Sequence, residues 1–216
     1  MKVVVFGATG GTGRAVIKMA LAAGHNVTAF ARRADRIAPA DGLNVVEGDA
    51  MDKSDVVRTL NGQDAVVISL GNSQNAFALM FGAGRTTPKD ICEIGTRNIL
   101  EGLPKGRNIP IVVVGAFGTG DTAPNLPFMF KLFYRLILRE QMADKEKQDQ
   151  ILKGSTASYT LVQPLALTDK PGTGTWNVSH DGIYGKTEVP RDDLSQFILE
   201  TLEEGDHSGK TVTFSG

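Results

Sequence analysis

The chain has 216 residues, 41% hydrophobic and 22% charged, which is enough apolar material for a buried core and excludes a disordered chain. Its formal net charge of -1 gives no overall electrostatic reason to expect nucleic acid or an anionic membrane as partner. One cysteine, Cys92, excludes an intrachain disulfide and fits a reducing compartment.

In chain order, short apolar runs alternate with longer helical segments. The runs are Lys2–Phe6, Asn26–Ala31, Leu43–Glu47, Asp64–Leu70, Ile109–Val114 and Ser158–Val162. Several are apolar at consecutive positions, the pattern of strands covered on both faces of a parallel sheet. Between them, Thr12–Ala23, Asp52–Leu60, Thr87–Leu103 and Pro127–Lys153 read as helices. Thr87-Pro88-Lys89-Asp90 reads as a helix start, with a hydroxyl cap followed by proline, and Gly24 and Gly154 stand where helices should stop. After the sixth run come a turn-rich stretch, Asp169–Thr175, and a short strand around Trp176–Val178. A helix from Pro190 to Leu202 and a closing strand, Lys210–Phe214, complete the chain. The expectation is a single α/β domain spanning 1–216. It is a Rossmann-like doubly wound parallel sheet with helices on both faces and a small C-terminal substrate-side extension.

The first strand runs into Gly7-Ala8-Thr9-Gly10-Gly11-Thr12-Gly13, spaced G-x-x-G-x-x-G. Gly7 allows a sharp exit from the strand, Gly10 and Gly11 let backbone approach a pyrophosphate, and Gly13 lets the helix pack close to the sheet. The helix N-terminus offers free N–H groups to phosphates, with Thr9 and Thr12 as added hydroxyl donors. A glycine-rich turn that binds nothing is the bland alternative. Its position after the first strand and before a helix favours dinucleotide binding.

The second strand ends Ala29-Phe30-Ala31-Arg32-Arg33, where an NAD site usually carries a carboxylate. Two guanidiniums there suit the 2′-phosphate of NADP(H), with Arg36 one turn further on. Asp49 and Ala50, after the third strand, are placed to meet the adenine edge. Leu70 and Gly71, after the fourth, are placed to run beneath the nicotinamide ribose.

These residues resemble the atypical short-chain dehydrogenase/reductase superfamily, in its NAD(P)H-binding, NmrA-like branch, and within it flavin reductase/biliverdin reductase B-like proteins. The likeness rests on the Gly7–Gly13 loop, Arg32, Gly48-Asp49, Gly95-Thr96-Arg97-Asn98-Ile99, Gln163-Pro164 and Val189-Pro190-Arg191-Asp192-Asp193-Leu194. It implies a Rossmann fold, NADP(H) as cofactor, and a nicotinamide site near Gly115, Ala116, Pro164 and Leu165. Members of the superfamily pair a serine after strand five with Tyr-x-x-x-Lys. Here Val114-Gly115-Ala116-Phe117 has no hydroxyl, and Lys145 is preceded four residues earlier by Gln141. Where biliverdin reductase B-like proteins have a histidine after the strand-six proline, this chain has Leu165.

An apolar pocket without an acid points to a planar hydride acceptor, such as a flavin, a quinone or a tetrapyrrole, that takes its proton from water. Lys145 is the one catalytic candidate, orienting the ribose. The other reading is a redox sensor or scaffold that binds NADP(H) without turnover. Sugar-nucleotide epimerase chemistry ranks behind both.

Phe128–Tyr134 is the densest aromatic run and reads equally as pocket wall or lid and as core or dimer face, with peripheral membrane contact left open. Cys92 reads as a core residue. His25, His180 and His207 lack ligand spacing, so no metal is expected. Without an export signal or a transmembrane segment, a cytoplasmic monomer or homodimer is expected, with a small-molecule acceptor and no nucleic acid as partner.

Overall fold

The computed structural model describes residues 1–216 except 73, 75–77, 80 and 81. The apolar runs become strands: β1 (Lys2–Phe6), β2 (Asn26–Ala31), β3 (Leu43–Glu47), β4 (Ala65–Ile68), β5 (Ile111–Val114) and β6 (Tyr159–Pro164). Helices α1 (Gly11–Ala22), α2 (Lys53–Leu60), α3 (Ile91–Gly102), α4 (Phe128–Leu136) and α5 (Arg139–Lys153) lie between them. The sheet order among the described residues is β3-β2-β1-β4-β5-β6, continued by β10 (Lys210–Ser215) and β8 (Asn177–Ser179). Every pairing in it is parallel except β10 with β8. This is a Rossmann-like doubly wound sheet, in which the strand order reverses beside β1 and opens a crevice at the carboxyl ends of β1 and β4.

Burial explains the continuous apolar runs. Val3, Val4, Val5 and Phe6 are all fully buried, with Val3 and Val5 in one core cluster and Val4 and Phe6 in the other. Alternate residues of one strand thus feed two cores on opposite faces. The C-terminal helix α6 (Arg191–Glu204) adds Leu194, Ile198 and Leu202 to the first core, where it packs with α1.

Three features depart from the sequence expectations. Helix α3 begins at Ile91, not at Thr87, and the Thr87-Pro88 cap does not form. Its first amides, on Cys92 and Glu93, instead donate to the buried Asp144 carboxylate of α5, each at 2.9 Å. The 127–153 segment is two helices, α4 and α5, rather than one. The third is a small parallel ribbon of β7 (Ala166–Thr168) and β9 (Glu188–Pro190), which folds the appended segment back toward the strand ends and leads directly into α6.

Gly7 has φ +88°, and a Cβ placed on Gly13 would sit 2.2 Å from the Gly7 carbonyl oxygen. Helix and strand are therefore in backbone contact, which only glycine permits. Gly13→Ala should destabilise the protein by about 1–3 kcal/mol, the usual cost of overpacking, and weaken nucleotide binding in the same variant. Thermal denaturation with and without NADPH reads both effects.

Candidate functional site

The glycine loop stands at the mouth of the crevice. Gly10 is the N-cap of α1 and brings no side chain to the first amides, and no acid stands in the first turn. Those amides lack intrahelical acceptors, so the helix presents hydrogen-bond donors and the positive end of its dipole to the cleft.

A cleft of about 440 Å³ follows the loop across the strand ends. It gathers Gly7, Thr9, Gly10, Gly11, Thr12, Arg32, Leu70, Gly71, Gly115 and Lys145 from among the residues expected at a nucleotide site. Gly13 lies beneath it against Gly7. Ala116 lines an adjoining cavity of about 170 Å³ with Gln141, Lys145 and Gly71, so the residue standing in place of the superfamily tyrosine lies beside Lys145 in space as well as in sequence. Asp49 and Ala50 sit at the end of β3 outside the cleft lining. Asp49 accepts from the Met51 amide at 3.0 Å, and Ala50 is buried. Pro164 is the buried end of β6, and Leu165 turns into a separate apolar pocket.

The arginines separate. Arg32 lines the cleft, its guanidinium bonded to the Thr86 carbonyl at 3.1 Å and the Thr87 hydroxyl at 3.3 Å. Arg33 points elsewhere and lies 3.6 Å from Asp35, whereas Arg36, brought round by a 3-10 turn at Ala34–Arg36, lines the cleft. Sequence reasoning missed Arg14, on the exposed side of α1, and Arg191, the first residue of α6. Arg191 bonds Asp169 at 2.7 Å and crosses Gly11 so closely that a Cβ there would meet its Nε at 2.8 Å. That Nε is buried and has no partner among the described residues. The chain signal for Arg191 was its place in the family-like Val189–Leu194 segment. In all, Arg14, Arg32, Arg36, Lys145 and Arg191 line the cleft, and no carboxylate does among the described residues.

Lys145 is held from three sides. Its Nζ donates to the carbonyls of Leu70 (2.8 Å) and Val114 (2.7 Å) and to Gln148 Oε1 (3.0 Å). An ammonium has three hydrogens, and each is engaged. The lysine thus ties together the chain just past β4 and the last residue of β5. Cys92, on α3, points its thiol at the same Leu70 carbonyl, and burial pushes its pKa up to about 12, so it stays a neutral core thiol.

Beside Leu165, Phe117, Tyr134, Tyr184 and Phe130 line an apolar pocket of about 80 Å³. Burial raises the Tyr134 pKa, which keeps its hydroxyl protonated at neutral pH. Phe117 is carried by the loop after β5, and that loop is pinned from below. Asp149 Oδ2 accepts from the Thr119 hydroxyl at 2.6 Å and from Gln163 Nε2 at 2.9 Å, while its Oδ1 is buried without a partner among the described residues.

A family model described as NAD(P)H-binding matches residues 7–205. A reductase of Aspergillus terreus, pytE, is 24% identical over 97% of this chain and 96% of its own. Among solved structures, ChuY of Escherichia coli O157:H7, described as an anaerobillin reductase, superposes with TM-score 0.76 at 21% identity, covering 100% of this chain and 97% of that one. A short-chain dehydrogenase/reductase from Veillonella parvula in complex with NADP gives TM-score 0.78 at 14% identity, covering 100% and 94%.

Burial is the main force on Asp149 and raises its pKa to about 6, against 3.8 in solution. The folded state therefore holds a proton that the unfolded chain releases, and this contribution to stability is full below pH 4 and lost as pH rises through about 6. Asp149→Asn should flatten the stability profile between those values and raise stability at pH 7 by up to about 3 kcal/mol, read by urea denaturation across pH.

Proposed function

The chain belongs to the NAD(P)H-binding family whose model it matches, and from that premise we propose that it is an NADPH-dependent reductase that passes hydride to a planar acceptor such as a flavin or quinone. The observation that carries the proposal is the cleft lining beside a helix N-terminus, five cationic side chains and, among the described residues, no carboxylate. A nucleotide bearing both a diphosphate and a 2′-phosphate matches that donor set. The diphosphate would meet the α1 amides, Thr9, Thr12 and the Arg191 guanidinium. The 2′-phosphate would meet Arg32 and Arg36. NADPH supplies the hydride when bound.

The chain's own residues set where that hydride can go. Gly71, Gly115 and Ala116 line the strand ends with backbone and a small side chain beside Leu70, leaving room for a flat ring. Lys145 holds Leu70 and Val114 in register. It acts by positioning, because its hydrogens are already committed to those carbonyls and to Gln148. Pro164 and Leu165 lead to the apolar pocket, whose aromatic walls suit a planar acceptor and exclude water from its faces. A protonated Tyr134 is a weak acid, which fits an acceptor that takes its proton from water.

The test is an NADPH fluorescence titration followed by addition of FMN or a quinone. Wild-type protein should bind NADPH more tightly than NADH and oxidise it when the acceptor is added. Arg32→Ala should weaken NADPH by about 10- to 100-fold, the loss of a charge-assisted phosphate contact, with little change toward NADH. Tight binding without oxidation by any acceptor in a flavin, quinone and tetrapyrrole panel would replace the reductase with a redox sensor.

A further inference from the structure

Helix α4 (Phe128–Leu136) contains no buried residue, although six of its nine residues are large and apolar. At 100° per residue, Phe128, Met129, Leu132, Phe133 and Leu136 share one sector of about 140°. That sector faces outward: Phe128 is 75% exposed, Met129 69% and Leu136 59%. Phe130 and Tyr134, one turn apart on another side, line the apolar pocket. Lys131 and Arg135 border the outward stripe, and Arg139, the first residue of α5, lines a cavity with Leu136 at the end of α4. The helix is therefore a wall of the pocket on one side and an uncovered apolar surface on the other.

The charge around this surface indicates what covers it. Although the chain's net charge is -1, residues 122–139 contain Lys131, Arg135 and Arg139 and no acid. None of the three pairs with a carboxylate among the described residues. A second copy docked antiparallel on the same stripe would bring like charges to the same edge and offer no carboxylate from this segment. Ile183, 70% exposed, stands on the loop that supplies Tyr184 to the pocket and is tied to Asn125, ahead of α4, by a 2.9 Å bond to the Asp181 carbonyl.

We propose that α4 is an interfacial helix that docks the protein on an anionic lipid bilayer, with the outward stripe inserted at the headgroup level and Lys131, Arg135 and Arg139 against lipid phosphates. Apolar burial and attraction to anionic headgroups act together in such a helix. No described helix is long and apolar enough to cross a membrane, so the contact is peripheral. If the reductase reading holds, Phe130 and Tyr134 place the acceptor pocket beside the bilayer, where a lipophilic quinone would enter. The docking itself does not depend on that reading.

The full chain should co-float with vesicles of equimolar phosphatidylcholine and phosphatidylglycerol, with a bound fraction at least about tenfold above that on phosphatidylcholine alone. Salt near 1 M, where screening acts over about 3 Å, should release much of it. Leu132→Glu and Met129→Glu, both at exposed positions outside the pocket lining, should abolish flotation while circular dichroism and NADPH titration stay as in wild type. Flotation without NADPH binding would keep the docking and remove the reductase reading. Equal binding to both vesicle types, no binding to either, or a dimer in sedimentation velocity that Leu132→Glu dissolves would overturn the docking proposal.

Discussion

The structure depends first on a backbone contact, the Gly13 position of α1 lying directly on the Gly7 carbonyl, with Gly7 itself at φ +88°. With side chains at these points the helix would have to stand away from the sheet, and its amino end would leave the crevice. Because it stays close, the free amides of α1 face the same edge at which β1 and β4 end. The cationic lining is assembled around that edge from α1, the end of β2, α5 and α6. Strand order supplies the opening, and the glycine contact supplies its donors.

Lys145 shows how the same framework changes meaning with one neighbour. In a Tyr-x-x-x-Lys pair the lysine lowers a tyrosine pKa. Here Gln141 stands in that place, and the ammonium is committed to the Leu70 and Val114 carbonyls and to Gln148. The ammonium still lines the cleft, but its hydrogens are taken up by the framework. The loop after β5 is held in a comparable way by Asp149, whose burial, with one oxygen unpartnered among the described residues, costs stability at neutral pH. A polar group maintained at such cost under a pocket wall is consistent with a loop whose position matters more than its stability.

Much of the frame could be read from the chain because its signals are local. Lys2–Phe6, Asn26–Ala31 and Leu43–Glu47 form strands with those bounds; β1 and β2 are buried at all but their first residue, while β3, at the sheet edge, is only partly buried. The glycine loop was equally legible, as was Arg32 at the end of β2. What escaped was set by distant partners. The start of α3 is decided by Asp144, more than fifty residues later, so a good local cap at Thr87 went unused. The break between α4 and α5 falls at Ile137-Leu138, which contains no glycine or proline to mark it. Whether Arg33 or Arg36 faces the cleft depends on one 3-10 turn, and Arg191 arrives only through the β7–β9 ribbon.

The central claim is that the amides at the start of α1, together with the cations around them, form the nucleotide site. The most direct measurement is the amide chemical-shift map of isotopically labelled protein titrated with NADP+. The largest changes should fall on Gly10, Gly11, Thr12 and Gly13, with accompanying changes near Arg32 and Arg191. Shifts confined to another surface, or none at saturating nucleotide, would contradict that claim.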